Sequence, residues 1–338
     1  MGNASDPPGL LTDMSTQGIT EVNNAGEAPA VKCPLCASYV KLDPERAGCS
    51  CGFQFKWRGR VLDWETQPDT FYEGRYATEI HFDKRRLQRP AGRLLLHFLV
   101  YGYYEAILRS VPAGGRILDI GCAGGSKLLA EWGSVTGLDL SLHALEIAAS
   151  KYAWGVRANA GRVDFAPATF HAIVSCFFWE HIKPPDKDLL LEKFCRWLRP
   201  GGKVILLFDV ASGNPLLAWT RKDPDLFREA FIENDGHYGL ETASAALRRF
   251  AEHGFSVCWQ HAMNRSPVQH LPVLGWLGPY GRKYRWARIV SRAGTWIANY
   301  TIPNRIYTGS IQLFDDTIGR LLPLDWSRLL LVVLERPV

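Results

Sequence analysis

Residues 117–125 read Ile-Leu-Asp-Ile-Gly-Cys-Ala-Gly-Gly, and eighteen residues after Gly121 stands Asp139, closing the apolar run Val135-Thr-Gly-Leu-Asp139. These residue types at this spacing suit the binding of a nucleoside. Glycines let the backbone approach a ligand where a Cβ would collide. A carboxylate at the end of the next strand can accept hydrogen bonds from ribose hydroxyls. An adenosine-containing cofactor is therefore expected across the carboxyl ends of the first two strands. The turn Gly121-Cys122-Ala123-Gly124-Gly125 lacks the G-x-G-x-x-G spacing of a pyrophosphate site, and no P-loop lysine motif is present.

A second group of reactive residues lies near the start. Cys33-Pro-Leu-Cys36, twelve residues, then Cys49-Ser-Cys51-Gly52 reads as a zinc ribbon. Two knuckles would each present two thiolates, and four sulfurs complete a tetrahedron around a structural Zn2+. Gly52 follows the second knuckle, where a positive φ is needed. The second knuckle is C-x-C rather than C-x-x-C. The segments 40–42 and 53–57 alternate as short strands do. About 30 residues build too small a core without such a staple. A closed four-cysteine site has no open position, so its role is structural or docking. The other cysteines, at 122, 176, 195 and 258, stand singly in apolar segments and read as small core fillers.

The elements that must position these residues follow from periodicity. Strands are expected at 116–120, 135–140, 155–160, 171–178, 203–210, 255–263 and 329–334. Helices are expected at 94–108, 124–132, from the N-cap Ser141 to 152, from Asp186 to the stop at Pro200-Gly-Gly202, and 242–252. Alternating strand and helix gives an α/β, mostly parallel, doubly wound sheet, with ligands beyond the carboxyl ends of the strands. The expected organisation is a disordered tail at 1–30, the ribbon at 31–66, a helical cap or linker at 67–112, a cofactor-binding core at 113–263, a basic aromatic insert at 264–326 and a last core strand at 327–338.

The acid-x-Gly-x-x-x-Gly turn from Asp119 to Gly125 resembles motif I of class I S-adenosylmethionine (SAM) methyltransferases, of the type 11-like branch. Glu180-His181-Ile182 and Leu198-Arg-Pro200-Gly201-Gly202 are similar to that family's small-molecule branch, and the resemblance spans roughly 115–260 plus the last strand. It implies a Rossmann-like sheet with its last strand antiparallel. It also implies SAM as cofactor, held by Asp119, Gly121, Cys122, Ala123, Gly125, Asp139, Leu140, Asn159, Ala160 and Phe177. Ala123 stands where the family has its middle glycine. Asn159 stands for the acid that accepts from the adenine amino group, and His171 for the aspartate after Phe170. The ribbon resembles those ahead of some methyltransferase domains, including ribosomal RNA guanine methyltransferases. A sulfonium methyl is already activated, so alignment is the main task. A base is needed only for an acceptor proton of high pKa. His181, after strand four, and His237, in Asn234-Asp-Gly-His237-Tyr238, are the candidate catalytic residues. Tyr72 and Tyr76 are placed over the methionine end of the cofactor.

The chain has 338 residues, 47% of them apolar, enough for one large domain and an accessory module. Its first 30 residues show no apolar signal core, and Asp6 departs from a myristoylation start. No run reaches the roughly 18 apolar residues that span a bilayer. A cytoplasmic protein, peripheral at the membrane in one reading, is expected. The chain lacks the Asn/Asp-Pro-Pro-Tyr/Phe tetrapeptide of base and amide N-methylation and a Pro-Cys nucleophile, which favours oxygen or carbon acceptors. From His253 to Gln312 there is no acid, while Arg265, Arg282, Lys283, Arg285, Arg288, Arg292 and Arg305 alternate with Trp and Tyr. This insert suits a substrate lid, an anionic lipid surface, a phosphate-bearing or glycan-lipid substrate, or RNA. The leading expectation is methyl transfer to a small or lipid-linked acceptor. RNA methylation, with the ribbon and insert docking RNA, is the second reading; DNA is not expected. A methyltransferase-fold partner that has lost catalysis is the third, motivated by Ala123, Asn159 and His171.

Overall fold

The computed structural model describes residues 28–46, 48–64, 71–73 and 98–337. Residues 1–27 of the expected tail, Tyr76 and most of the expected cap at 67–112 lie outside the described residues. The strands are β1 (Ala30–Lys32), β2 (Tyr39–Lys41), β3 (Lys56–Arg58), β4 (Val61–Asp63), β5 (Arg116–Ile120), β6 (Ser134–Asp139), β7 (Trp154–Arg157), β8 (Phe170–Cys176), β9 (Leu198–Asp209), β10 (Ser256–Met263) and β11 (Leu329–Glu335). Nine of them form one sheet in the order β10-β11-β9-β8-β5-β6-β7-β4-β3. The pairs from β9 through β4 are parallel, and β11 is antiparallel to both β9 and β10. This is a Rossmann-like, mostly parallel sheet with an antiparallel edge.

Its central strands are apolar throughout because both faces are covered. Ile173, Val204, Leu206, Phe208 and Val332 face one core with Trp179, Trp197 and Phe250. Their neighbours Ala172, Val174, Ile205, Leu207 and Leu331 face the other, with Tyr103, Ile107, Leu145 and Tyr152. The period of two along each strand therefore sorts side chains between two layers of helices. The described part of the N-terminal helix, Phe98–Ser110, supplies Tyr103, Tyr104 and Ile107 to the second layer.

Two boundaries differ from the sequence reading. The helix Pro184–Trp197 ends before the Pro-Gly-Gly turn, and β9 begins at Leu198 with an irregular register opposite Phe170. Gly201, at φ 70°, lets that irregular start turn. The ribbon is also not set apart from the core. Strands β3 and β4, which fall inside the expected ribbon span 31–66, extend the main sheet by pairing β4 with β7. Burial is the cause: Val61 and Leu62 are fully buried, and Cys33, Cys49 and Phe55 share one core cluster with Phe165 and Trp197. The small β1–β2 sheet is tied down by Lys32 N–H to Asp164 O at 2.8 Å and Ala166 N–H to Ala30 O at 2.9 Å.

Arg157 pins this added edge. It is 5% exposed, donates to Asp63 Oδ1 at 2.9 Å across β4–β7, and reaches Leu140 O at 3.2 Å. Removing one partner of a buried ion pair strands the other. Asp63→Ala is expected to destabilise by about 3 kcal/mol in urea unfolding, with Asp63→Ala/Arg157→Met recovering most of the loss. A double variant as unstable as the single one would show that the charge pairing is not what matters.

Candidate active site

At the end of β5 the chain turns through Gly121 at φ 66° and Ala123 at φ 47°. An L-residue in this left-handed region costs roughly 1–2 kcal/mol, so something must hold Ala123 there. Its N–H donates to Asp139 Oδ2 at 2.9 Å, and Ser141 N–H donates to Asp139 Oδ1 at 2.9 Å. One carboxylate at the end of β6 thereby fastens two loops. Ser141 caps the following helix, Leu142–Ala148, accepting from Ala144 N–H at 3.1 Å. Glu73 accepts from Leu142 and His143 N–H at 3.1 and 3.0 Å. That brings the segment 71–73 onto the same helix start.

A cleft of about 690 Å3 opens over these turns, beyond the carboxyl ends of the parallel strands. Of the expected cofactor residues, Gly121, Ala123, Asp139, Leu140, Asn159, Ala160 and Phe177 line it. Asp119, Cys122 and Gly125 do not, and support it from behind. The Tyr152 hydroxyl donates to Asp119 Oδ2 at 2.7 Å and accepts from Ser126 N–H at 2.7 Å, so Asp119 braces the turn. Burial pushes the Asp119 carboxyl up to about 7. A Cβ on Gly125 would lie 3.1 Å from Ala148 Cβ and Tyr152 Cζ, so this glycine lets the turn sit on the helix. Asn159 Oδ1 accepts from Gly161 N–H at 2.8 Å, closing its own turn. His171 lies at the opposite end of β8, where its Nδ1 accepts from Arg116 N–H at 2.9 Å, away from the cleft.

At the far end of the cleft the structure brings both candidate histidines together. His181, in the turn Trp179–His181, and His237 have ring centroids 5.3 Å apart, and the Tyr72 ring stands 5.9 Å from His181. His181 Nδ1 lies 3.0 Å from Gly236 O; a carbonyl only accepts, so that nitrogen carries the proton in this contact. Burial lowers both imidazole pKa values to about 4, with the His237 charge opposing His181 and Arg328 opposing His237. Sequence reasoning assigned no role to the acids beside them. Glu180 is 1% exposed, and burial next to Asp209 pushes its carboxyl far up. Asp209 Oδ1 pairs with Arg328 at 3.0 Å, while its Oδ2 lies 4.0 Å from His237 Nε2. The available signals were the position of Asp209 at the end of an apolar run and of Glu180 beside His181; Arg328, 119 residues further on, gave none. Glu180 Oε2 and His237 Nδ1 are buried without a hydrogen-bond partner among the described residues. Glu180, His181 and His237 each offer an atom within 4.8 Å of the others, a set able to hold a divalent ion.

The second cysteine-bearing site is equally close-knit. Cys33 Sγ and Cys51 Sγ are 3.7 Å apart, and Cys36 Sγ and Cys49 Sγ 3.5 Å. Zinc–sulfur bonds of about 2.3 Å place tetrahedral sulfurs about 3.8 Å apart, so the four thiols fit Zn2+. Ala37 at φ 62° and Gly52 at φ 95° make the knuckle turns.

Comparison with known proteins agrees with this geometry. Residues 117–202 match the family described as "Methyltransferase domain". The chain is similar to the ubiquinone biosynthesis O-methyltransferase of Idiomarina loihiensis, 30% identical over 130 residues, which cover 32% of this chain and 52% of that protein. It is also similar to phosphoethanolamine N-methyltransferase 3 of Arabidopsis thaliana, 34% identical over 104 residues, covering 28% and 21% respectively. The matches span about half the length of the first of these curated relatives. Among solved structures, Haemonchus contortus phosphoethanolamine N-methyltransferase 2 with S-adenosyl-L-methionine aligns with TM-score 0.44 and 21% identity, over 70% of this chain and 52% of that one. Among the described residues no helix is long and apolar enough to cross a membrane.

The neutral histidines have a consequence for stability. Their folded pKa is about 4, against about 6.5 in an unfolded chain. Between these values the unfolded state binds more protons, so their contribution is full above pH ~6.5 and is lost as pH falls toward 4. His237→Asn and His181→Asn should each lose less stability than the parent between pH 7 and 5 in urea titrations. Identical pH slopes in all three proteins would refute the buried neutral assignment.

Proposed function

We propose that the chain is a SAM-dependent methyltransferase acting on an oxygen or carbon atom of a small or lipid-linked acceptor. The observation that carries this reading is the cleft over the Asp119–Gly125 turn, with Asp139 at its rim. The donor set fits the nucleoside: the Asp139 oxygens retain lone pairs for a ribose diol, and Leu140 and Ala160 offer apolar walls for an adenine. When bound, SAM would supply an activated methyl group. Tyr72 and Phe177 flank the acceptor end and exclude water from it. His181 or His237, neutral at physiological pH, would take the proton of an acceptor hydroxyl, while the sulfonium–methyl bond of the bound SAM would be the one broken and its thioether the leaving group. Glu180, kept protonated by burial, donates a hydrogen bond to the acceptor oxygen. The names of the relatives support a small-molecule acceptor. Zn2+ on Cys33, Cys36, Cys49 and Cys51 serves the fold.

Calorimetry is expected to show saturable SAM binding, weakened by on the order of 1.5–3 kcal/mol in Asp139→Ala, the scale of a charged hydrogen bond. Labelled SAM offered with phenolic, lipid and RNA fractions should mark the first or second. Label confined to RNA would transfer the reading to RNA methylation; absence of SAM binding would leave a catalytically inactive partner protein.

The metal is tested separately. The purified chain should carry one equivalent of zinc by elemental analysis, and Cys36→Ser should lose it together with thermal stability. Full-length protein that is folded and zinc-free after metal-replete expression would overturn the assignment.

A further inference from the structure

The insert leaves an apolar and cationic face uncovered. Helix Arg285–Asn299 packs through Ala287 and Gly294, where a Cβ on Gly294 would sit 2.7 Å from Leu274. Two residues on from each contact the helix has turned by roughly 200°, and the stripe Arg285, Ile289, Arg292, Trp296 lies exposed on that far side. The spacing is four, three, four, that of one helical face. The next helix, Thr301–Asp316, buries Ile311 and Asp315 and exposes Ile302, Ile306 and Leu313. Ile302 is 71% exposed and Ile306 65%. Exposed Ile and Trp side chains on two successive helices, with Trp296 against Tyr300 at 5.0 Å where the helices meet, are rare unless something covers them. Its charge says what. Arg285, Arg292 and Arg305 are exposed and make no ion pair among the described residues, and no acid lies between His253 and Gln312. A groove of about 800 Å3 between these helices and residues 266–268 is lined by Val268, Ile297, Ile306 and Phe314.

We propose that this face docks on an anionic lipid bilayer. Trp296, Tyr300, Ile289, Ile302 and Ile306 enter the headgroup boundary, while the three arginines meet lipid phosphates. The same insert touches one residue of the cleft: the Trp276 ring lies 5.7 Å from that of His237, which lines the cleft, and carries the Arg328 guanidinium at 5.3 Å. A docking face on that insert fits an amphiphilic acceptor drawn from the lipid.

The test is flotation of the full chain with vesicles of phosphatidylcholine alone or mixed with phosphatidylglycerol. Binding is expected to the mixed vesicles and to weaken with salt. Ile289→Ser/Trp296→Ser/Ile302→Ser/Ile306→Ser should lower it by on the order of tenfold or more. Arg285→Gln/Arg292→Gln/Arg305→Gln should remove the preference for anionic lipid. SAM affinity, measured on the same samples, should stay unchanged in both variants, which certifies their fold and keeps this outcome separate from that of the catalytic reading. Equal binding to both vesicles, no binding to either, or full binding by the serine variant overturns the proposal. A wild-type dimer that the serine substitutions convert to monomer would also overturn it, assigning the face to a second copy of the chain.

Discussion

A single carboxylate holds the candidate site in shape. Asp139 accepts one N–H from the turn after β5 and one from the loop after β6. Those two bonds keep Ala123 in a backbone conformation that an alanine does not adopt by itself. Without them the turn would relax and the floor of the cleft would change. The strain is small beside the total folding energy, and it is local. Phe177, also at positive φ, lies in the same cleft. Backbone strain gathers where a site must be pre-shaped, because the surrounding core can enforce it there.

The opposite end of the cleft follows a different rule. Glu180, Asp209, His237 and Arg328 are all nearly buried, and their charges must be balanced locally. Arg328 neutralises Asp209, and burial favours the uncharged form of Glu180 and of both histidines. The result is a set of polar atoms with little net charge, with Glu180 Oε2, His237 Nδ1 and Arg328 Nε lacking a hydrogen-bond partner among the described residues. One end of the cleft is thus organised by backbone N–H groups around a charge, and the other by suppression of charge. That asymmetry is what binding a cationic sulfonium nucleoside at one end and moving a proton at the other would require.

The two additions to the core are attached in opposite ways. The cysteine ribbon merges with it: it shares the first core cluster and donates two strands to the sheet edge. The insert builds a second, smaller core around Leu274, Leu277 and Tyr280 together with Leu217, Ala230 and Phe231 of the segment after β9, and leaves its outer face apolar. A shared core makes the ribbon part of the domain's stability. A separate core lets the insert present a surface without disturbing the sheet.

Sequence alone determined the order of the strands from 116 to 210 and the helices between them, the placement of the glycine turn and Asp139, and the knuckle spacing of the cysteines. These are local patterns, read from periods of two and 3.6 and from residues with special backbone freedom. The boundaries slipped where a short irregular pairing intervened, as at Leu198 opposite Phe170. Only the tertiary structure decided which motif residues face the ligand. Asp119, expected to hold the cofactor, turns to Tyr152, and His171, which stands where the resemblance has an aspartate, sits at the end of its strand away from the cleft. It also decided that Arg328 pairs with Asp209 across more than a hundred residues, that β4 joins β7, and which face of each insert helix is buried. Each of these depends on contacts distant in the chain, where the free energy comes from burial and charge pairing between segments whose sequences carry no mark of one another.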